Sequence, residues 1–152
     1  MDELDSAIIR ELQTNARQTN RELARAIGVA PSTCLERVRS LVERGVIRGY
    51  HADIAPAALN RQVQAFVSAR LRPLSREVID GFKEALLSLP EVSAVFVVAG
   101  DDDFLIRVAA PDLDHLHNFL IDKLSQRSEV VSFQSQIIYE SSHKHVKADL
   151  PA

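Results

Sequence analysis

Cysteine is nearly missing from this 152-residue chain. Cys34 stands alone, so no internal disulfide can form. Long apolar runs are missing as well. The longest uncharged stretches, Ala26–Leu35 and Val130–Tyr139, are about half the length that a bilayer-crossing helix needs. The N-terminal Met-Asp-Glu-Leu-Asp is acidic and lacks the basic-then-apolar layout of a secretory signal. These absences predict a soluble cytoplasmic protein. No nucleophile elbow, P-loop or pair of catalytic acids is found, so no catalytic residue, metal ligand set or cofactor is expected. Positive charge is also short: 18 Lys and Arg against 21 Asp and Glu give a net −3. Taken alone, that balance argues against a nucleic-acid partner.

The distribution of charge argues the other way. Residues 17–48 hold seven Arg (17, 21, 25, 37, 39, 44, 48) and three Glu (22, 36, 43). Residues 61–152 hold ten Lys and Arg against thirteen Asp and Glu. A basic segment joined to an acidic remainder points to two jobs in one chain. With 46% hydrophobic and 26% charged residues, the composition is that of a globular protein with a packed core.

The basic segment reads as three short helices. Leu4, Ile8 and Leu12 recur every four residues and predict a helix from about Asp5 to Thr14. Thr19-Asn20-Arg21-Glu22 fits a capping box. Leu23, Ala24 and Ile27 form the apolar side of the second helix, and Gly28 ends it. Pro31 fits the first position of a third helix. On that helix Cys34, Val38, Leu41 and Val42 share the inward side, while Ser32, Thr33, Glu36, Arg39, Ser40 and Glu43 project outward. Gly45 terminates it. Val46–Ile54 is β-rich and consistent with a wing, and Pro56–Asn60 looks like a linker.

Two helices joined only by Gly28, Val29 and Ala30 cross steeply, the geometry that pushes a helix into a DNA groove. Its hydroxyls and arginines suit phosphates and base edges. Candidate DNA contacts are Arg17, Arg21, Ser32, Thr33, Glu36, Arg37, Arg39, Ser40 and Arg48. Glu36 either accepts from cytosine or is a solvated helix charge. Cys34 lies inward, as a small buried hydrophobe rather than a redox thiol.

From Arg61 the period changes. Gln64–Leu71 alternates like a strand, Ser75 can cap a helix carrying Val78, Phe82, Leu86 and Leu89, and Pro90 stops it. Val92–Ala99 and Phe104–Ala109 are strands around the turn Gly100-Asp101-Asp102-Asp103. Asp112 or Asp114 starts a helix with Leu113, Leu116, Leu120 and Leu124 inward, and Val130–Tyr139 is the last strand. The order is βαββαβ, an α+β, ferredoxin-like arrangement with both helices on one sheet face. The other face, expected to carry Phe66, Val95, Val97, Phe104 or their neighbours, then needs a partner. The expected division is 1–50 for the DNA-binding domain, 51–62 for a linker, 63–140 for the ferredoxin-like domain and 141–152 for a loosely held tail. His143-Lys144-His145 pairs on a metal only if that tail is extended.

Several marks occur together and in order: Leu4-Asp5 with Ile8 and Leu12; Glu22-Leu23-Ala24; Gly28 and Pro31; Arg37-Val38 with Leu41; Gly45-Val46-Ile47-Arg48-Gly49-Tyr50; and Gly100-x-x-Asp103 before an apolar strand. In these the chain resembles the leucine/asparagine-responsive (Lrp/AsnC, feast/famine) transcription regulators from Leu4 to about Tyr139. The resemblance implies a winged helix-turn-helix, a ferredoxin-like ligand domain, double-stranded DNA as partner, and homodimers that often assemble to octamers. It also implies an amino-acid effector at the hairpin, with Gly100, Asp101, Asp102, Asp103, Gln134, Ser135 and Gln136 as candidates. Asp103 would hold the α-ammonium and the amides near Gly100 the carboxylate. By itself Gly-Asp-Asp-Asp is also simply a good turn with solvated acids. Three positions depart from the family pattern: Ala30 for Ser, Asn60 for Gly, and Asp102 for an aromatic. Losing the Ser leaves Ser32 or Thr33 to cap. Two rival functions are an architectural DNA-binding protein without strong sequence preference and a tetrapyrrole decarboxylase of related architecture.

Overall fold

The spacing of Leu4, Ile8 and Leu12 does build a helix, α1, over Glu3–Thr14, capped by Asp2, whose side chain accepts from the Asp5 amide. The computed structural model describes residues 1–150 of the chain. Helix α2 (Asn20–Ile27) follows a complete capping box, and α3 spans Pro31–Glu43. Both end the same way. Gly28 (φ 74) and Gly45 (φ 70) take the left-handed conformation, and the next amides return to the helix: Val29 N donates to Ala24 O at 3.0 Å and Val46 N to Leu41 O at 2.9 Å. These are Schellman closures, in which glycine avoids the cost of a Cβ at positive φ. Ile8, Leu23, Ala24, Cys34 and Leu41 form the buried core of this unit. Val42, expected inward, is 46% exposed, because it sits at the edge of the stripe that Cys34 and Leu41 define.

The expected β-rich wing forms no strand among the described residues; Val46–Ile54 is turn and coil. The amides of Val46 and Ile47 are already committed to Leu41 O, and no neighbouring strand offers a ladder to the rest. The segment from Ser142, expected as a loosely held tail, returns to the same unit, which comprises Met1–Asp53 and that segment. Gln13 grips it with both ends of its amide: Nε2 donates to Lys147 O at 3.0 Å and Oε1 accepts from Lys147 N at 2.9 Å. Ser6 bonds Asp149. The His145 ring lies 3.5 Å from Asp53.

The second unit, Ile54–Ser141, begins with a short 3₁₀ turn at Pro56–Leu59. Strands β1 (Val63–Leu71), β2 (Val92–Val97), β3 (Phe104–Ala110) and β4 (Val130–Ile137) form one antiparallel sheet in the order β2-β3-β1-β4. Helix α4 (Arg76–Leu87) is capped by Ser75, and α5 (Leu113–Phe119) by Asp112. Residues Leu120–Ser125 prolong α5 as a π-helical segment that the pattern of leucines does not announce. Ala65, Val67, Ala69 and Leu71 of β1 pack with Phe104, Ile106 and Val108 of β3 against Phe82, Leu86, Leu116, Phe119 and Leu124 from the helices. Both helical segments therefore cover one face, and the order is the expected βαββαβ. The open face carries Phe66 and its cross-strand neighbours, with Ser68 opposite Leu105 and Leu105 opposite Phe96. Phe104 and Val95 belong to the covered face instead, and Val97, the cross-strand partner of Phe104, points to that same side. Strand alternation places each on the opposite side from its immediate neighbour, and Phe104 packs edge-on against Phe82 with ring centroids 4.8 Å apart.

Candidate DNA-reading helix and effector loop

In α3 the inward positions are sealed, Cys34 and Leu41 being fully buried, and the outward ones are open. Ser32, Thr33, Leu35, Glu36 and Arg39 are exposed and Ser40 is half-buried. Burial pushes the Cys34 thiol above its ordinary range, which keeps it neutral. Ala30 precedes the helix without a side-chain cap, and neither Ser32 nor Thr33 takes over that role. Their hydroxyls stay on the outer face. Asn20 on α2 ties the two helices together, donating from Nδ2 to Pro31 O at 2.7 Å. Arg17, Arg21 and Arg48 are exposed.

Arg37 differs from the other candidates. Its Nη1 donates to Asp2 Oδ2 at 2.6 Å and to Asp5 Oδ1 at 3.2 Å. The bond to Asp2, reinforced by Asp5, raises the Arg37 pKa further. This guanidinium is committed to carboxylates of α1.

The β2–β3 loop is closed by Val98 N donating to Asp103 O at 2.9 Å, with Gly100 at φ 142. A Cβ at Gly100 would meet nothing within 4 Å, so glycine is needed there for its backbone angle and not for room. Asp103 anchors the loop to the end of β1. Its amide donates to Ala69 O at 3.0 Å, and its carboxylate Oδ2 accepts from Leu71 N at 2.9 Å and from Arg72 Nη1 at 3.1 Å. Arg70 adds a second anchor, donating from Nε at 2.9 Å and Nη2 at 2.5 Å to Asp101 O. The Asp103 carboxylate, expected to be free for an α-ammonium, is therefore engaged by the protein itself. Asp101 is exposed and Asp102 half-exposed, and neither side chain takes part in the loop's own bonding. Gln134, Ser135 and Gln136 are exposed on β4 at the sheet edge, with Gln134 opposite Ser68 and Gln136 opposite Phe66. At the same end of the sheet a cleft of about 420 Å³ is lined by Arg72, Gly81, Phe82, Arg127 and Glu129. Its arginines are paired, Arg72 with Asp103 and Arg127 with Glu129.

Residues 1–48 match the family model described as winged helix-turn-helix DNA-binding, and residues 64–147 match the Lrp/AsnC ligand binding domain. The chain is 41% identical over 140 residues to the transcriptional regulator AldR of Mycolicibacterium smegmatis, covering 92% of this chain and 82% of that protein. A transcriptional regulator from Neisseria meningitidis, solved as an L-Met complex, superposes with a TM-score of 0.87 at 30% identity over 99% of this chain and 96% of that one. AsnC of Escherichia coli superposes with a TM-score of 0.84 at 30% identity over 95% of each chain.

The chain belongs to the Lrp/AsnC family of transcriptional regulators. Its departures from the family pattern now have places. Asn60 occupies the left-handed conformation (φ 55), which asparagine tolerates better than other non-glycine residues. Asp102 puts a carboxylate in the β2–β3 loop where the family pattern has a ring. Sequence reasoning missed Arg70 and Arg72 as loop anchors. The signal available was their position at the end of β1, where a long cation reaches the next turn. It also missed Asp2 and Asp5 as partners of α3, although Asp5 stands one residue after Leu4 in an otherwise amphipathic helix.

Proposed function

We propose that this regulator binds DNA sequence-specifically as a homodimer, and that an amino acid bound at the β2–β3 loop tunes its binding or its assembly. The observation that carries the DNA side is the division of α3 into a sealed inner face and an open face of Ser32, Thr33, Glu36 and Arg39. Arg39 is the strongest candidate for a base contact, because it is exposed and takes no hydrogen-bond partner among the described residues. Arg17, Arg21 and Arg48 suit phosphates. Arg37 serves the scaffold. The open sheet face, with Phe66, Leu105 and a half-exposed Phe96, supports self-association through the second unit and a higher assembly such as an octamer.

The match to a ligand-binding domain, together with the L-Met bound by the Neisseria regulator, supports an α-amino acid as the effector. Asp101 and Asp102 supply the carboxylates for an ammonium and favour a polar or cationic ligand. The loop amides and Gln134, Ser135 and Gln136 supply the remaining polar groups. Asp103 shapes the loop rather than touching the ligand.

The experiment is a binding series on DNA recovered with the protein from cells, compared with random duplex at fixed salt. Arg39→Ala is expected to weaken specific binding by about 1–3 kcal/mol and leave random duplex nearly unchanged. A uniform loss with a flatter salt dependence would make Arg39 a phosphate contact. Equal affinity of the wild-type chain for both DNAs would favour an architectural protein over a sequence reader.

A further inference from the structure

Asp5 is the only buried charged side chain among the described residues, 2% exposed. Its carboxylate accepts from two arginines, one within α3 and one at its C-cap. Oδ1 takes Arg37 Nη1 at 3.2 Å, and Oδ2 takes Arg44 Nη1 and Nη2 at 3.4 Å each. Asp2 completes the arrangement: one oxygen caps the Asp5 amide at 2.8 Å and the other holds Arg37 at 2.6 Å. Arg37 lies in the middle of α3 and Arg44 is its C-cap residue, seven residues on, about two turns or 10.5 Å along the axis. A carboxylate that grips a helix at two heights resists both rotation about the axis and tilt. The apolar contacts of Cys34 and Leu41 set how deep the helix sits, but such contacts are non-directional and set rotation poorly.

We infer that Asp5 is a positioning residue for DNA recognition: through Arg37 and Arg44 it fixes the rotation of α3 that presents Ser32, Glu36 and Arg39, and it holds two cations off the DNA phosphates. This rests on the proposal that α3 reads DNA. Base readout requires side-chain atoms at fixed places in the groove, whereas phosphate binding tolerates a rotated helix. Asp5 therefore contributes to discrimination more than to total affinity, although it touches no DNA. The two arginines, read from sequence as part of a basic surface, are internal ties.

The test uses the full chain and Asp5→Asn, which keeps the shape and removes the charge. Affinity is measured for a selected operator and for random duplex across a salt series. Operator affinity is expected to fall about tenfold or more. Random-duplex affinity is expected to hold or rise, with a salt slope steeper by about one unit, because Arg44 is released to phosphates while Asp2 still holds Arg37. A merely structural role would lower both affinities by one factor, and that result overturns the inference. Arg44→Gln is the second variant. It removes the upper grip while leaving the Arg37 pair, and is expected to cost about threefold to fivefold in discrimination without a gain on random duplex. If Asp5→Asn melts below the assay temperature, Arg44→Gln decides, and unchanged discrimination overturns the positioning role. A wild-type chain that fails to discriminate operator from random duplex overturns the sequence-reading proposal and the positioning role with it. Discrimination that persists in both variants overturns the positioning role alone.

Discussion

The two units of this chain are held together by different means. The ferredoxin-like unit buries fourteen hydrophobic residues in one cluster, whereas the DNA-binding unit buries five. Five small or medium side chains are a thin core for three helices. The difference is made up by directional bonds: the Asp2 and Thr19 caps, two glycine closures, the Asp5 clamp and the Gln13 grip on the chain from Ser142. A unit that must show arginines and hydroxyls to DNA has few positions left for apolar burial. Polar bonds specify its geometry, and in the partner unit packing does.

The largest expected effect tests the packed side of this contrast. Phe82 is 1% exposed, lies edge-on to Phe104 and has the Arg127 guanidinium 5.4 Å from its ring centre. Phe82→Ala is expected to destabilise the second unit by about 3–5 kcal/mol. Hydrogen exchange should then show β1 and β3 opening while α1–α3 keep their protection. Equal loss in both units would mean that the two cores unfold as one, and the contrast would fail.

A middle-sized effect separates anchoring from ligand contact within the loop. The Asp103 side chain is 15% exposed and accepts a backbone amide and a guanidinium. Asp103→Ala is expected to cost about 1.5–3 kcal/mol, since it leaves Leu71 N and Arg72 without their acceptor. Asp101→Asn, on an exposed side chain, is expected to leave thermal stability unchanged and to lower amino-acid affinity in calorimetry by about tenfold. If Asp101→Asn binds as the wild type does and Asp103→Asn, with its stability intact, does not, the roles are reversed.

Much of this architecture is legible in the sequence because it rests on local signals. The capping box at Thr19–Glu22, the glycines at 28 and 45, and the alternation of β1 each report a backbone preference within a few residues. What is not legible depends on meetings across the chain. Nothing near Asp103 says that Leu71 N and Arg72 will fill its carboxylate, because those groups lie about thirty residues earlier and meet it only through the β1–β3 register. Arg37 and Arg39 look alike in sequence, yet one flanks the inner stripe near Asp5 and the other faces outward. The wing fails as a strand for a similar reason. β propensity in Val46–Ile54 needs a partner strand, and the single chain uses two of its amides to close α3.

The smallest effect is the pH dependence of the polar unit. The Thr19 backbone N–H donates to Glu22 Oε2 at 2.6 Å and the Thr19 hydroxyl at 2.9 Å, and these bonds hold the Glu22 carboxyl below its ordinary range. The Asp5 amide, and then Arg37, do the same for Asp2. A carboxyl with a depressed folded-state pKa stabilises the fold above its unfolded pKa, and that contribution is lost as pH falls through the folded value. Both groups are exposed, so each contribution is modest, but both act on the unit with the thin core. In the second unit burial works against the charge of Glu129, yet its own backbone amide and Arg127 keep its pKa lowered, and the fourteen-residue core stands behind it. The DNA-binding unit is therefore expected to lose amide protection first as pH falls from about 5 toward 3. Glu22→Gln, which keeps an acceptor for the Thr19 amide but does not titrate, should flatten that acid slope. Thr19→Ala should instead lower stability by about 1 kcal/mol at neutral pH, because the N-terminal turn of α2 loses its oxygen acceptor. Hydrogen exchange resolved by unit decides the matter: earlier acid opening of β1 and β3 than of α1–α3 would show that polar bonding is not the weaker support.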